Sequence, residues 1–280
     1  MDWFKEITEN ATGVLYRITK KLHESQSQYQ KVEMFETAAF GKLLALDGAV
    51  MLTEAHEFIY HDMLVHIPML SHPEPKRVLI VGGGDGGTAR EVLKHRTVET
   101  VDMVEIDVEV IEVSKRYLAD LACKLDDPKL NLYIQDAIEF VHDKEDIYDV
   151  VLVDSTDPIG PGEGLFNRSF YRDVFNILKP DGIVAVQSES PFLLGREVPQ
   201  IFTKLQSVFP LTRLYWAPMP CYPYGTWTFT YCSKSGMEPI IRRTDEAEEI
   251  EDECKYYNRK IHQASFVLPN FIRKLTEGAN

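Results

Sequence analysis

Hydrophobic positions divide the chain into two parts. From Lys76 onward, short apolar runs (Val78–Val81, Val101–Ile106, Leu130–Ile134, Val150–Val153, Ile183–Val186) alternate with stretches of helical pattern (Thr88–His95, Val108–Leu121, Ala137–His142, Ser169–Leu178). Repeated strand–helix–strand alternation predicts an α/β fold, a parallel sheet with helices on both faces. Ligands in such sheets sit outside the carboxyl ends of the strands. Upstream the pattern differs. Gly13–Leu22 and Tyr29–Phe35 are mixed apolar and polar runs that suggest strands, and Asp47-Gly48 between Lys42–Leu46 and Ala49–Leu52 reads as a hairpin turn. This meander is too short to bury a core alone, so it should pack on the main domain or on a second copy. A helix opening at Thr53 or Glu54, running through Phe58, Met63, Ile67 and Leu70 and stopping at Pro73 and Pro75, joins the parts. The expected organisation is a β domain over 1–53, a connecting helix over 54–75 and an α/β domain over 76–280.

Composition narrows the function. The 280 residues are 44% hydrophobic, which fits a globular core. A net charge of −14 argues against nucleic acid as a partner, because phosphate demands a basic face, and it favours cations. Cys123, Cys221, Cys232 and Cys254 form no C-x-x-C pair and lie in no histidine pattern, so neither zinc nor a disulfide framework is indicated. With no hydrophobic signal segment and no membrane-length apolar run, a soluble cytoplasmic protein is expected.

The organising stretch is Arg77–Gly87, R-V-L-I-V-G-G-G-D-G-G, in which Gly82, Gly84 and Gly87 fit G-x-G-x-x-G at a strand–turn–helix junction. Glu105 closes the next run, V-D-M-V-E-I-D, at the spacing of an acid that grips a ribose diol. Asp85 lies inside the loop, where a pyrophosphate site would hardly place negative charge, so the loop suits a nucleoside carrying positive charge. The other strand ends are acidic too: Asp107, Asp136, the D-S-T-D-P-I-G-P segment (Asp154–Pro161), and Gln187-Ser188-Glu189. Asp107 and Asp136 each have an ordinary alternative as helix N-caps. The whole set recurs at one rim without Lys, Arg or His beside it in sequence, which calls for a cation. Either a hard divalent metal or an organic polycation would serve. The aromatic residues Tyr60, Tyr222 and Tyr224 favour the polycation, since rings attract ammonium groups and metals need no rings. Sheet packing is the alternative for Tyr222 and Trp227.

In that order, G-G-G-D-G-G, V-E-I-D, D-S-T-D-P-I-G-P and Y-P-Y-G-T-W-T-F resemble the spermidine synthases (polyamine aminopropyltransferases), and T-E-A-H-E-F-I-Y-H and K-Y-Y-N-R-K-I-H-Q-A-S-F-V-L-P fit as well. The resemblance covers nearly the whole chain. It implies a methyltransferase-like Rossmann domain with a small N-terminal antiparallel β domain that serves oligomerisation and part of the active-site cover, assembled as homodimers or homotetramers. It also implies aminopropyl transfer from decarboxylated S-adenosylmethionine, a co-substrate rather than a cofactor, to putrescine, giving spermidine and methylthioadenosine, with no metal. Carried over by motif, Gln30, Gly82, Gly84, Asp85, Glu105, Asp136, Ala137 and Pro161 would hold the donor, with Asp85 on its aminopropyl ammonium. Tyr60, His61, Asp85, Asp154, Ser155, Asp157, Glu189 and Tyr222 would line the amine site. Asp154 matches the proton acceptor, and Ser155 offers a backbone carbonyl to the amine. Glu189 would anchor the far ammonium, and Trp3 would cover the channel. Met51 stands where some relatives carry a polar residue. Other acceptors (cadaverine, agmatine, spermidine) remain open, as do a methyltransferase using ordinary S-adenosylmethionine and a non-enzymatic polyamine-binding protein. A NAD-dependent dehydrogenase shares the glycines but lacks a hydride-transfer partner. The acidic stretch Arg242–Lys255 reads as a solvated face or as a lid edge attracting amines.

Overall fold

The computed structural model of the chain describes residues 2–8, 12–157, 160–192 and 197–277. Five strands, β1 (Asp2–Thr8), β2 (Thr12–Gln26), β3 (Lys31–Thr37), β4 (Lys42–Leu46) and β5 (Ala49–Thr53), form an antiparallel sheet in sequence order. Asp47 and Gly48 both take positive φ (49° and 83°), the backbone a two-residue hairpin needs to match strand twist. The first strand was not anticipated. Its side chains are exposed or half-buried throughout, so β1 carries no continuous apolar run.

Helix α1 (Glu57–Ser71) starts later than expected, because Thr53 still belongs to β5 and the turn through His56 intervenes. Pro68 lies inside it, and the helix ends at Ser71, just before the Pro73 and Pro75 predicted to stop it. Nearly every α1 side chain is buried, since the helix packs on β9, β10 and β11 as well as on α2, defined below.

The second sheet contains β6 (Arg77–Gly82), β7 (Thr100–Glu105), β8 (Leu130–Ile134), β9 (Tyr148–Asp154), β10 (Leu178–Gln187), β11 (Leu211–Pro218) and β12 (Thr226–Ser233), in the order β11-β12-β10-β9-β6-β7-β8. Strands β6 to β10 are parallel, whereas β12 runs antiparallel to both β10 and β11. The sheet is therefore mixed, and not parallel throughout as expected. A connection as short as 219–225 can only return the chain as an antiparallel neighbour. Helices α2 (Gly87–Val92), α3 (Val108–Tyr117), α4 (Ala137–Val141), α5 (Arg168–Ile177) and α6 (Glu197–Gln206) follow the strands, and α7 (Thr244–Glu253), α8 (Arg259–Ala264) and α9 (Asn270–Glu277) close the chain. No helix among the described residues is long and apolar enough to cross a membrane.

Two features of packing position the site. Strand β6 is flanked by β7 on one side and β9 on the other, so strand order reverses there and the loops after β6 and β9 leave a crevice between them. The N-terminal sheet packs Val32, Met34, Leu44, Leu46 and Leu52 against Val110, Val113, Leu118 and Leu121 around α3, which roofs that crevice. The C-terminal segment braces α1 from behind: the amides of Tyr256 and Tyr257 both donate to Asp62 Oδ2 at 3.0 Å. The acidic stretch lies there as well, on α7. Its Glu246 is buried against Arg243 and His95 and lines neither of the cavities described below. Folding also brings Cys254 to Asp62, His66 and Glu91, with ligating atoms within 4.8 Å of one another, a proximity invisible in the sequence spacing. Lys94 Nζ, 2.6 Å from Glu91, already supplies the positive charge at that cluster.

Candidate active site

The glycine-rich loop is shaped by close approach. Gly82 ends β6 at φ 82°, and a Cβ there would lie 2.2 Å from the Asp154 carbonyl oxygen, so a side chain would force the two strand ends apart. A Cβ on Gly87 would lie 2.3 to 2.5 Å from the His61 ring, so glycine at the start of α2 lets α1 bring an imidazole to the loop. Gly84 faces Glu105, whose Oε2 would lie 2.9 Å from a Cβ there.

An inner cavity lies over this loop, lined by Gln30, Gly82, Gly84, Asp85, Glu105, Asp136, Ala137, Asp154 and Ser155, together with Leu44, Leu46 and Leu52 from the N-terminal sheet. Asp107 and Asp136 cap α3 and α4, accepting from Glu109 N at 3.1 Å and Ile138 N at 2.8 Å, so the ordinary reading of both residues is correct. Asp107 has a second task, accepting from Gln30 Nε2 at 3.0 Å and tying the roof to the strand ends. The side chain of Pro161 and all of Pro158 and Ile159 lie outside the described residues.

Glu105 is buried at the end of β7 and accepts from Asp107 N at 2.9 Å. Burial lifts its carboxyl to about 7, with the Asp107 and Asp154 charges pushing the same way against the amides of Asp107 and Ile106. The folded value exceeds the unfolded one of 4.5, so the folded protein holds the proton more tightly, and Glu105 costs stability as pH rises between those values. At about 1.36 kcal/mol per unit, the wild-type-minus-Glu105→Gln difference in unfolding free energy should fall by about 3 kcal/mol across that window. Urea denaturation from pH 4.5 to about 8 measures it; a flat difference would show that Glu105 ionises normally.

Asp154 closes β9, the central neighbour of β6. Its Oδ1 accepts from Tyr60 Oη at 2.8 Å and its Oδ2 from Thr88 Oγ1 at 2.6 Å. Burial raises its pKa, and the nearby Asp85 charge raises it further, against the stabilising pull of His61, Thr88 and Tyr60. Two donors at the base of the crevice fix this carboxylate in place, and its raised pKa makes it more basic than a free aspartate.

Asp85 is not unpaired as the sequence suggested. His61 Nε2 stands 3.4 Å from its Oδ1, which also accepts from Gly87 N at 2.7 Å. His61 Nδ1 meets Glu57 at 2.7 Å, and Arg90 reaches both Glu57 oxygens at 3.1 and 2.9 Å. Arg90, Glu57, His61 and Asp85 thus form a chain of alternating charge. Burial opposes charge on His61, yet Asp85 and Glu57 hold its pKa well above the ordinary value, so it is an imidazolium. Burial also acts to raise Asp85, but His61 and the Gly87 amide prevail and keep it ionised. Both contacts use Oδ1, and Oδ2 accepts no hydrogen bond among the described residues.

An outer cavity of about 360 Å³ continues past Met51, Tyr60, Ser155, Thr156 and Tyr222, which line both spaces. Tyr222 donates to the Met51 carbonyl at 2.8 Å, so Met51 contributes a backbone oxygen where its side chain is apolar. Tyr222 is also packed edge-on against Trp227, with centroids 4.6 Å apart, so it combines a packing role with a wall position. Asp157 and Glu189 line this space, and Glu189 is 1% exposed. Burial and the facing Asp157 hold Glu189 well above the ordinary carboxylate range, and burial raises Asp157 as well. Glu189 takes φ 70°, a backbone region unusual for a non-glycine residue, fixed by Thr228 N and Thr228 Oγ1 on its carbonyl (2.9 and 2.8 Å).

Trp3 does not cover this channel. It is 53% exposed in a separate shallow groove with Phe4 and Arg17, while Glu6, on the opposite face of β1, lines the outer cavity. The sequence reading missed Glu57, Thr88 and Gln187, whose amide donates to the Ser155 and Thr156 carbonyls at 3.3 and 3.4 Å. Thr88, next to the glycines, and Gln187, at the end of β10, both carried a positional signal. Glu6 and Glu197, also on the outer wall, carried none.

Comparison with known proteins agrees with this geometry. The family model described as spermine/spermidine synthase domain matches residues 57–244, and that described as spermidine synthase tetramerisation domain matches residues 2–54. The polyamine aminopropyltransferases of Caldicellulosiruptor saccharolyticus and Clostridium kluyveri are each 44% identical to this chain, over 98% of it and 98% of their own length. A solved spermidine synthase in complex with the transition-state analogue AdoDATO superposes with a TM-score of 0.95 at 41% identity, covering 99% of this chain and 95% of that one. The spermidine synthase from Thermotoga maritima gives 0.94 at 40% identity, over 99% and 94%. The chain belongs to the spermine/spermidine synthase family and is an enzyme of the aminopropyltransferase type.

Proposed function

We propose that the protein transfers the aminopropyl group of decarboxylated S-adenosylmethionine to putrescine, giving spermidine and methylthioadenosine, and that it works as a homodimer or homotetramer without a metal or resident cofactor. The observation that carries this reading is the meeting of two acid-lined cavities beside Asp154. The inner one offers Glu105 to a ribose diol and the free Oδ2 of Asp85 to the donor's ammonium. The outer one offers Asp157 and Glu189 to the far ammonium of a diamine.

The donor is a sulfonium, so its leaving group departs as a neutral thioether and needs no acid. The missing reactant is a free amine. An alkyl ammonium titrates like lysine, near 10.4, so its neutral form lies about 4–5 kcal/mol uphill at neutral pH. Asp157 and Glu189 keep the distal nitrogen charged, while burial and the adjacent sulfonium lower the proximal one. Asp154 takes the proton, the nitrogen forms its bond to the aminopropyl carbon as the carbon–sulfur bond breaks, and the proton passes to solvent. The two positive charges that enter leave as a secondary ammonium and that proton.

The test mixes protein and decarboxylated S-adenosylmethionine with putrescine, cadaverine, agmatine, diaminopropane or spermidine, and counts methylthioadenosine. Release fastest with putrescine is expected. A different preferred amine would change the acceptor, and no release from folded, donor-binding protein would overturn the reaction.

A further inference from the structure

The His61 imidazolium is shared between two carboxylates that belong to different parts of the fold. Its Nε2 faces Asp85 on the glycine-rich loop at 3.4 Å, and its Nδ1 donates to Glu57 Oε2 at 2.7 Å. Glu57 lies one turn before His61 on α1, so the closer acid is built into the scaffold and not into the loop. Arg90 on α2 fixes that acid, donating from Nη1 and Nη2 to its two oxygens at 3.1 and 2.9 Å. Arg90 is anchored in turn. Its Nε donates to Glu91 Oε1 at 2.7 Å, and Glu91 accepts from His66 and Lys94 at 3.1 and 2.6 Å. Glu57, His61 and Glu91 are all buried, where charges are little screened and geometry decides where the net charge resides. Glu57 borders the inner cavity, but both its oxygens are engaged by Arg90 and His61. The other groups facing the imidazole are the Tyr60 ring, edge-on at 5.4 Å, and the Asp154 carboxylate, whose basicity the His61 charge lowers.

We propose that Glu57, clamped by Arg90, is a specificity-determining positioning residue: it draws the His61 charge away from Asp85 and so keeps the donor loop anionic. This rests on the aminopropyl-transfer reading above, in which Asp85 receives the donor's ammonium and repels the carboxylate of ordinary S-adenosylmethionine. With Glu57 neutralised, the imidazolium turns its full charge on Asp85, and the loop loses much of its negative field. The preference for the decarboxylated donor then narrows. Burial opposes the charge on His61, and Asp85 and Glu57 together override it. Asp85 alone holds that proton less tightly, so in Glu57→Gln the imidazolium is lost at lower pH than in the wild type. Its loss uncovers the Asp85 charge, and the preference recovers as pH rises.

The experiment measures the dissociation constants of both donors by calorimetry in wild type, Glu57→Gln and Glu57→Asp, from about pH 6 to about pH 8.5. Dividing each variant's preference by the wild-type preference at the same pH cancels the titration of the donors themselves. The Glu57→Gln quotient should be about a tenth at the acid end and climb towards one at the alkaline end. Glu57→Asp keeps the negative charge, so its quotient should stay within a few-fold of one throughout. A Gln quotient of one at every pH, or equal losses in Gln and Asp without pH dependence, would leave Glu57 a packing residue and overturn the inference. Ring-nitrogen shifts of labelled histidine, with His61 assigned against His61→Gln, check the wild type without any Glu57 variant. His61 should keep both ring protons across the range, and a neutral ring there would overturn the inference. If the wild type bound both donors equally, the donor assignment would fall and the inference with it. If the quotients behaved as expected but putrescine released no methylthioadenosine, the transfer reaction would fall and the inference would stand.

Discussion

Asp154→Asn should lower kcat about 10³-fold and leave donor affinity within a few-fold of wild type. Asparagine keeps the shape of the side chain. Its oxygen can still accept from Tyr60 Oη, now 2.8 Å from Asp154 Oδ1, and its amide can face the Thr88 hydroxyl that now donates to Oδ2 at 2.6 Å. The variant loses a base, not a contact. In the wild type the rate should climb as pH rises through the raised pKa of Asp154, because the group works only when ionised. That limb and the plateau above it should be lost in the variant, whose residual rate should instead keep rising about tenfold per pH unit with the small fraction of neutral amine. Single-turnover release of methylthioadenosine across pH, with donor binding by calorimetry, separates the two effects. Near-normal turnover in Asp154→Asn would remove the residue from the chemistry, and an equal loss of donor affinity would assign it to binding.

The parts of this site that could be read in the sequence are those that sit where a strand ends. Gly82, Asp85, Glu105, Asp136 and Asp154 each follow an apolar run, and parallel strands deliver such residues to one rim whatever the details of packing. The bounds of β8 and the hairpin turn at Asp47-Gly48 were legible for the same local reason. What failed to show was everything fixed by the rotation of one element against another. His61 reaches Asp85 because α1 presents that face to α2 across a glycine, and no spacing in either segment announces it. Glu6 reaches the channel by the alternation of an exposed strand. Strand β12 alternates Thr with Trp227, Phe229 and Tyr231, whereas β11 does not alternate, with Leu211-Thr212 and Leu214-Tyr215 buried side by side, and the apolar runs read from the sequence stop at Val186, short of both.

Asp85→Asn should narrow the preference for the decarboxylated donor over ordinary S-adenosylmethionine by about tenfold to a hundredfold. That is the range expected when a charge-assisted hydrogen bond of roughly 1.5–3 kcal/mol is lost for one donor and a repulsion is removed for the other. The proximity of His61 makes this a sharper test. If the imidazolium cancelled the Asp85 charge, the loop would be electrically neutral and Asn would change little. Two features argue against cancellation. His61 lies between two carboxylates, with Glu57 at 2.7 Å and Asp85 at 3.4 Å, so its charge is shared and the closer partner takes the larger part. Asp85 also commits only Oδ1 to His61 and the Gly87 amide, leaving Oδ2 for an ammonium. The carboxylate of ordinary S-adenosylmethionine would meet this oxygen head-on, and the desolvated pocket would strengthen the repulsion. His61→Gln gives the complementary measurement. Removing the imidazolium leaves Asp85 less neutralised, so discrimination between the donors should widen even if turnover falls. Competition between the two donors, read as the ratio of their kcat/KM values in wild type, Asp85→Asn and His61→Gln, decides the matter. Opposite shifts in the two variants would place discrimination on the Asp85 charge, and a ratio unmoved by either would place it outside the glycine-rich loop.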